Sequence, residues 1–366
     1  MQATSEPEPQ PEPEPNPEPE PASSLVLLTC EAFPELCPDG RALAKKVAEL
    51  LPGVDVVPRV WTRADAAQPC GLCVVRSPWD CMDDGFVAFA DFVQRHPAPL
   101  QNSAEWLLWS AEKGRYLVDL AARGVPCVPT VLLPQHSTAK DLDKELDKRQ
   151  WPRAVVKPSA GSFGQRVLQV KRGAQAHDKQ VAALLEHRDS VLQPFVPGIS
   201  SAGELSLLFF DGHFSHAVRK HPRHGDFRVQ GGKVESITPD PAVLRLATNA
   251  IARAHECCRA SDTPVWCRVD LLPRVSEADS SAGGVEKDSN QKKSKAKRSS
   301  KSQRKEGAEA AAPSVGGEWM VSEFEALDPE LYFKYGGDGA VAQAAAAVAN
   351  RYRKATAMNQ AEAFAD

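Results

Sequence analysis

Apolar runs too short for helices alternate with amphipathic stretches, and this alternation constrains the fold more than any other feature. Leu25–Thr29 reads as a buried strand. Asp39 opens a helix whose apolar face carries Leu43, Val47 and Leu50–Leu51. Val54–Val60 and Gly71–Arg76 read as strands, the second running into the loop Ser77-Pro-Trp-Asp80. Phe86–His96 is an amphipathic helix. A β-α-β-β-α order implies an α/β unit.

The pattern continues downstream. The spacing predicts a single helix over Ala104–Ala122, carrying Lys113, and a strand-like run over Val125–Leu133. Residues 138–150 form a charged helix with a solvated face. Strands follow at Ala154–Lys157, Val167–Val170 and Val191–Val196, with a helix at Gln180–His187. Leu205–Phe210 and Phe214–Arg219 flank Asp211-Gly212, a strong hairpin signal. A long helix over 240–260, strands at Val265–Leu272 and Glu318–Phe324, and a helix over 338–358 complete the chain.

Two segments cannot join a core. Residues 1–22 hold 8 prolines and 6 glutamates and no basic residue. Proline and like charge keep such a tail extended, as a spacer. Lys287–Lys305 carries 9 Lys/Arg against one Asp, inside a Ser/Gly/Lys-rich stretch spanning 275–317. Neither buries enough apolar surface to offset the entropy of ordering it. The chain resumes a strand right after the stretch, so it reads as an overgrown hairpin loop. The remainder suffices for two or three layered units.

Composition excludes several classes. No run reaches the length of a membrane-spanning helix, so no membrane partner is expected. The acidic N-terminus is unlike a secretory signal or transit peptide. Nine cysteines, an odd number, suit free thiols in a reducing compartment, so a cytoplasmic location is expected. The basic stretch resembles a nuclear-localisation run, but a solvated loop accounts for it. A mildly acidic core argues against a specific nucleic-acid partner. Cys70-Gly-Leu-Cys73 has no second pair at metal spacing, so buried structural thiols are expected there.

Three groups of residues carry chemistry. Lys157 ends a strand and precedes the loop Pro158–Gly164, whose glycines let backbone N–H groups approach phosphate oxygens. There is no Gly-Lys-Ser/Thr, so this is not a Walker A sequence. Asp270, Glu323 and Glu325 lie on strands, and alternation puts Glu323 and Glu325 on one face with Phe324 on the other. Carboxylates so placed repel unless a cation joins them, and hard oxygen ligands suit Mg²⁺. Between these ends, Arg219, Lys220, Arg223, Arg228 and Lys233 form a cation-rich segment fit for phosphate. Arg76, Ser77, Trp79 and Asp80 follow a strand C-terminus, where α/β ligand crevices open, and are weaker substrate contacts, as is Gln230.

In this order the features resemble the ATP-grasp superfamily over about residues 25–345. The residues that carry the resemblance include Arg76–Asp80, Asn102–Tyr116, Gly124–Thr130, Val155–Pro158, Gly203–Ser206, Asp226–Gly232, Arg268–Asp270 and Glu323–Pro329. The chain is most similar to the D-cycloserine ligase branch, which closes a ring from O-ureido-D-serine, and more distantly to bacterial glutathione synthetase. The resemblance implies an N-terminal α/β pre-ATP-grasp domain followed by a two-subdomain fold clamping ATP between sheets. The expected divisions are a disordered tail at 1–23, a substrate domain at 24–103, a lid subdomain at 104–196, and a C-terminal subdomain at 197–358 interrupted by 275–317.

The resemblance also implies roles. Lys113 and Lys157 hold the ATP phosphates, and Ser159, Gly161, Ser162 and Gly164 belong to a flap over them. Gln193, Phe195 and Val196 form the adenine hinge; Pro194 lacks an N–H, so Phe195 or Val196 must donate. Glu204 touches the nucleotide or braces a lysine. Arg228 and Lys220 are the catalytic cations. Asp270, Glu323 and Glu325 bind one or two Mg²⁺, with Mn²⁺ an alternative. Many members of the superfamily have Glu-x-Asn where this chain has Glu-x-Glu, which leaves the number of metals open. The implied activity is ATP-dependent joining of a small-molecule carboxylate to an amine through an acyl phosphate, releasing ADP and phosphate. A ring-closing ligase and a non-catalytic ATP-binding module are the alternatives. A homo-oligomer stays open.

Overall fold

The computed structural model describes residues 24–82, 85–161, 166–174, 179–274 and 318–363. The Glu-Pro tail, the 275–317 stretch, and Ser162 and Gly164 of the expected flap lie outside them.

The first unit contains β1 (Ser24–Thr29), α1 (Pro38–Leu50), β2 (Asp55–Val60), β3 (Leu72–Ser77), α2 (Phe86–Arg95) and β4 (Leu100–Gln101). Its strands pair in parallel in the order β2-β1-β3-β4. Helix α1 starts where Pro38 sets the first turn and Cys37 Sγ accepts the Gly40 N–H at 3.4 Å.

Next come α3 (Ala104–Ala111) and α4 (Lys113–Ala122). The sequence pattern predicts one helix here. The structure breaks it at Glu112, which is extended (φ −107°, ψ 103°). The Lys113 N–H donates to the Ser159 carbonyl at 2.7 Å instead of a helical carbonyl, and Glu112 bridges Ala160. A loop distant in sequence thus replaces one helical hydrogen bond and creates a new helix N-terminus at Lys113. Gly114 makes the approach feasible, since a Cβ there would lie 2.8 Å from Leu132 Cδ1 and 3.0 Å from Ser159 Oγ.

The second sheet holds β5 (Val131–Leu133), β6 (Arg153–Pro158), β7 (Leu168–Lys171) and β8 (Ser190–Pro194) in the order β5-β8-β6-β7, all antiparallel. Helices α5 (Ala139–Arg149) and α6 (Lys179–His187) share a core with it through Leu142, Leu146, Val181 and Leu185. The strand-like run expected from Val125 is a strand only from Val131. Pro126 and Pro129 remove donors, and Val128 instead donates to Val321 at 2.9 Å.

After α7 (Ile199–Ala202), the third sheet contains β9 (Glu204–Phe210), β10 (His213–His221) and β11 (Lys233–Ile237), then α8 (Pro241–Cys258), β12 (Trp266–Pro273) and β13 (Trp319–Glu325). Its order is β11-β10-β9-β12-β13, antiparallel throughout. Pro273 pairs with Trp319, so the strands flanking the 275–317 stretch are neighbours, as the sequence predicts. The polar edge strand β11 and the short helix α7 carry little apolar pattern and are not foreseen from the sequence.

Helices α3, α4 and α8 cover one face of this sheet, with Trp106, Trp109, Tyr116 and Ile251 in the shared core. The boundary expected at residue 104 puts α3 and α4 with the lid; their packing puts them with the five-stranded sheet. The other face packs with α9 (Phe333–Ala363), whose alanine-rich stretch at 344–349 is slim enough to lie against both this sheet and the N-terminal one. Asn102 fixes that junction. Its side chain donates to the carbonyls of Trp266 (2.9 Å) and Ala326 (2.6 Å) and accepts the Val265 N–H (2.5 Å).

Candidate active site

A cavity of about 690 Å³ opens where the three sheets meet. The four-stranded antiparallel sheet contributes Lys157 and Gln193, the five-stranded sheet contributes Asp270, Glu323 and Glu325, and the N-terminal unit contributes Arg76. Arg76 sits near the C-terminal end of β3, the usual place for ligand contacts in such sheets.

Two acids face each other across β12 and β13. Asp270 is directly opposite Glu323, and Arg268 opposite Glu325. The ladder shifts register between Asp270 and Leu271, and the Ser322 hydroxyl donates to the Asp270 carbonyl at 3.1 Å there. Like charges directly opposite destabilise a sheet unless compensated. Each acid here has a cation. Lys157 reaches Glu323 at 2.8 Å. Arg268 grips Asp270 with two bonds of 2.9 Å and Glu325 with one of 2.6 Å. Lys220 lies 3.4 Å from Asp270 and also pairs with Glu204. Ser206 donates to Asp270 at 2.6 Å.

This network sets the protonation states. Burial works to raise Glu323, but Lys157 and Lys113 outweigh it and hold the carboxyl well below its usual range. At Asp270 burial again opposes ionisation, and Arg268 and Lys220 reverse it. Burial wins at Glu325 and pushes it up to about 8, against Arg268 and with help from Asp270 and Glu323. Burial works to lower Lys220, yet Asp270 and Glu204 hold it well above its usual value. Asp328, on the same cavity wall, is pushed up to about 6 by burial, against Arg268, Lys113 and Arg76.

Asp270, Glu323 and Glu325 offer oxygens that all lie within 4.8 Å of one another. Three carboxylates at that spacing fit a hard divalent cation. Lys113 stands at the N-terminus of α4 and donates to the Gly161 carbonyl at 2.7 Å. A lysine on the positive end of a helix suits an anion such as phosphate. The slot beside the hinge is apolar, with Val155, Phe195, Val196 and Leu272 on its wall. The Phe195 N–H already donates to the Arg153 carbonyl at 3.1 Å. Of the two donors expected from the sequence, the Phe195 N–H is thus already engaged.

Comparison with known proteins decides the family. Residues 25–102 match the family model described as D-cycloserine synthetase DcsG, N-terminal domain. The cycloserine biosynthesis protein DcsG of Streptomyces lavendulae is 34% identical over 229 residues, spanning 58% of this chain and 72% of that protein. The chain belongs to the ATP-grasp ligases, in the D-cycloserine synthetase branch. The crystal structure of D-cycloserine synthetase DcsG matches with a TM-score of 0.70 at 26% identity, covering 90% of this chain and 99% of that one. D-alanine–D-alanine ligase from Bacillus anthracis complexed with ATP matches at 11% identity with a TM-score of 0.57, covering 92% and 99%, and shows the shared fold.

As an ATP-grasp ligase, the protein is an ADP-forming enzyme that makes carbon–nitrogen bonds. The alternative of a non-catalytic ATP-binding module falls with that. No helix among the described residues is long and apolar enough to cross a membrane.

The ATP-grasp cavity gathers most of the residues singled out from the sequence. Lys113, Lys157, Gly161, Gln193, Phe195, Val196, Glu204, Lys220, Arg228, Gln230 and the three acids all line it, as do Arg76 and Trp79. Others have different work. Ser77 is buried and its hydroxyl pairs with Thr29 at 3.1 Å, tying β3 to β1. Asp80 accepts the Trp61 indole N–H at 2.5 Å. Neither Ser77 nor Asp80 is on the cavity wall. Ser159 accepts the Gly114 N–H at 3.1 Å and seats the start of α4, so it positions Lys113 rather than facing the cavity. Arg228 is half exposed and held by Asp226 at 3.0 Å, and that hydrogen bond drives Asp226 down to about 2.

Sequence reasoning overlooked the role of Arg268, which bridges two of the three acids. Its signal was available, since Arg268 and Asp270 alternate onto one strand face as Glu323 and Glu325 do.

Proposed function

We propose that the protein uses ATP and Mg²⁺ to activate a small-molecule carboxylate as an acyl phosphate and then joins it to a nitrogen nucleophile. The observation that carries this reading is the facing pair Asp270 and Glu323, with Glu325 beside them, backed by Lys113, Lys157, Lys220 and Arg268.

Adenine enters the apolar slot and accepts the Val196 N–H. Lys113 and Lys157 neutralise the phosphate oxygens, and Lys157 exchanges Glu323 for them. Mg²⁺, held by Asp270, Glu323 and Glu325, supplies charge neutralisation at the phosphates. Arg268 and Lys220 keep the acids in place, and Arg268 turns one face to the transferred group. Arg228 reaches the same group once it leaves Asp226. A substrate carboxylate oxygen attacks the γ-phosphorus, and the bond to ADP breaks. A nitrogen then attacks the acyl carbon, the carbon–oxygen bond breaks, and phosphate leaves with the electron pair. The nitrogen gives up a proton. No nucleophilic side chain is needed, and Lys113, Lys157 and Arg268 offset charge as it develops.

Ring closure within one molecule is the second reading. It is favoured by the 34% identity to the cycloserine biosynthesis protein. The nitrogen and the carboxylate then belong to the same substrate.

The test is ADP release from Mg²⁺ and ATP across carboxylate and amine pairs, with O-ureido-serine alone as one arm. The mass of the product separates cyclisation from joining. Glu323→Gln with Glu325→Gln abolishes ADP release; undiminished turnover would show that the acids do not serve the reaction.

A further inference from the structure

A second cavity, of about 340 Å³, lies behind the hinge. Its walls come from both sides of the joint between the four-stranded lid sheet and the five-stranded sheet. Pro126 and Pro129 lie on the strand of chain entering the lid, and Pro194 and Pro197 on the one leaving it. Trp151 precedes β6 and Arg153 opens it, while Met320 belongs to β13. The cavity is within the size range of small-molecule sites.

Its chemistry is specific. Proline, tryptophan, phenylalanine and methionine give it rigid apolar walls with few donors. Among the described residues, no Asp or Glu lines it. Arg274 is taken up by Glu318. Arg153 has no carboxylate partner among the described residues, and its guanidinium sits 4.4 Å from the Phe195 ring centroid. Burial pushes the Cys127 thiol up to about 12, so this wall residue is not a nucleophile and occupancy is reversible.

The two cavities share Pro194 and Phe195. The Phe195 N–H hangs on the Arg153 carbonyl, and its ring meets Phe227 edge-on at 6.0 Å, next to Arg228 in the ATP cavity. Because the rear cavity is walled by both sheets, any change in lid angle changes its shape. A ligand that fits one angle better than another must shift the lid, and nucleotide must shift that ligand's affinity by the same factor.

We propose that this joint cavity is an effector site for a small carboxylate with a flat apolar tail, with Arg153 taking the carboxylate and Trp151, Phe195 and the prolines taking the tail. Occupancy is coupled to nucleotide binding through Phe195.

The experiment is calorimetric titration of the full chain with 4-phenylbutyrate, 4-phenylbutanol and 4-phenylbutylamine. 4-Phenylbutyrate should bind with a Kd of about 1 mM or tighter. The alcohol and the amine should bind about tenfold more weakly, lacking the charge-assisted bond. Arg153 is exposed, so Arg153→Gln should fold normally by circular dichroism; it should lower 4-phenylbutyrate affinity about tenfold and leave the alcohol unchanged. Arg153→Lys should recover part of the loss. Saturating 4-phenylbutyrate should change the Kd of a non-hydrolysable ATP analogue by about threefold or more, and the analogue should change the 4-phenylbutyrate Kd equally. Absence of binding, equal binding of the amine, or binding that survives Arg153→Gln overturns the site. An analogue affinity that does not move overturns the coupling.

Discussion

Arg268→Met removes a side chain that serves two of the three acids. Arg268 is 6% exposed and makes two bonds of 2.9 Å to Asp270 and one of 2.6 Å to Glu325. Without it, Asp270 keeps Lys220 at 3.4 Å and Ser206 at 2.6 Å, but Glu325 keeps no ion pair among the described residues. Stranding a buried charge costs about 3–5 kcal/mol. Glu325 retains 25% side-chain exposure to the cavity, so water softens the penalty and the lower end, about 3 kcal/mol, applies. That cost depends on pH in a defined direction. A carboxyl whose folded pKa is raised binds a proton in the folded state that the unfolded chain has already lost, so stability falls as pH rises from the unfolded value toward the folded one. Glu325 stands at about 8 with Arg268 present, and losing Arg268 moves it further up. The variant should therefore melt about 6 °C below the parent at pH 9 but only about 2 °C below it at pH 5, in differential scanning fluorimetry without metal. Mg²⁺ added together with an ATP analogue should restore more of the melting temperature in the variant than in the parent, because a competing cation is gone. An equal loss at both pH values, or a larger one at pH 5, would refute the reasoning.

Further outcomes follow from the same geometry. Binding of Mg²⁺ with an ATP analogue at pH 7 should release a proton from Glu325, seen as a dependence of calorimetric heat on buffer ionisation enthalpy that fades above pH 9. Asn102→Leu takes its hydrogen bonds away from three backbone groups and should lower the melting temperature by about 6 °C, equivalent to about 3 kcal/mol, with or without nucleotide. Gly114→Ala pushes against Leu132 and Ser159 and should raise KM for ATP about fivefold with a smaller change in kcat, since it displaces the seat of Lys113 rather than a reacting group.

Period-two patterns made the acid face legible. Phe324 falls into the core with Trp106 and Trp109 while Glu323 and Glu325 face the cavity, which strand alternation alone requires. Lys157 was legible for the same reason, at the end of a strand. The break at Glu112 was not, because its cause is a carbonyl at Ser159 that the local pattern cannot contain. Ser77 ends β3 and Asp80 follows it, a place that suits ligand contact, yet Thr29 and Trp61 hold them. A side chain's partner is a tertiary fact, and polar residues near a strand end have several partners to choose from. The Phe195 N–H is another case, since a backbone bond to Arg153 occupies it and the strand pattern gives no sign of that bond.

The acids and cations of the site are paired with one another. Glu323, Glu325, Asp270 and Glu204 are met by Lys157, Arg268 and Lys220. The Lys157–Glu323 bond is different from the rest, because Lys157 belongs to the four-stranded antiparallel sheet and Glu323 to the five-stranded sheet. It joins the two sheets directly. A phosphate drawing Lys157 and a divalent cation drawing Glu323 break that bond only when they arrive together; either alone leaves a buried charge without its partner. Lys157→Met should therefore do more than weaken ATP binding. It should let Mg²⁺ alone stabilise the protein, which the parent's lysine prevents by competing for Glu323. A variant in which Mg²⁺ without nucleotide gives no larger thermal shift than in the parent would show that Lys157 and the metal do not compete for one carboxylate.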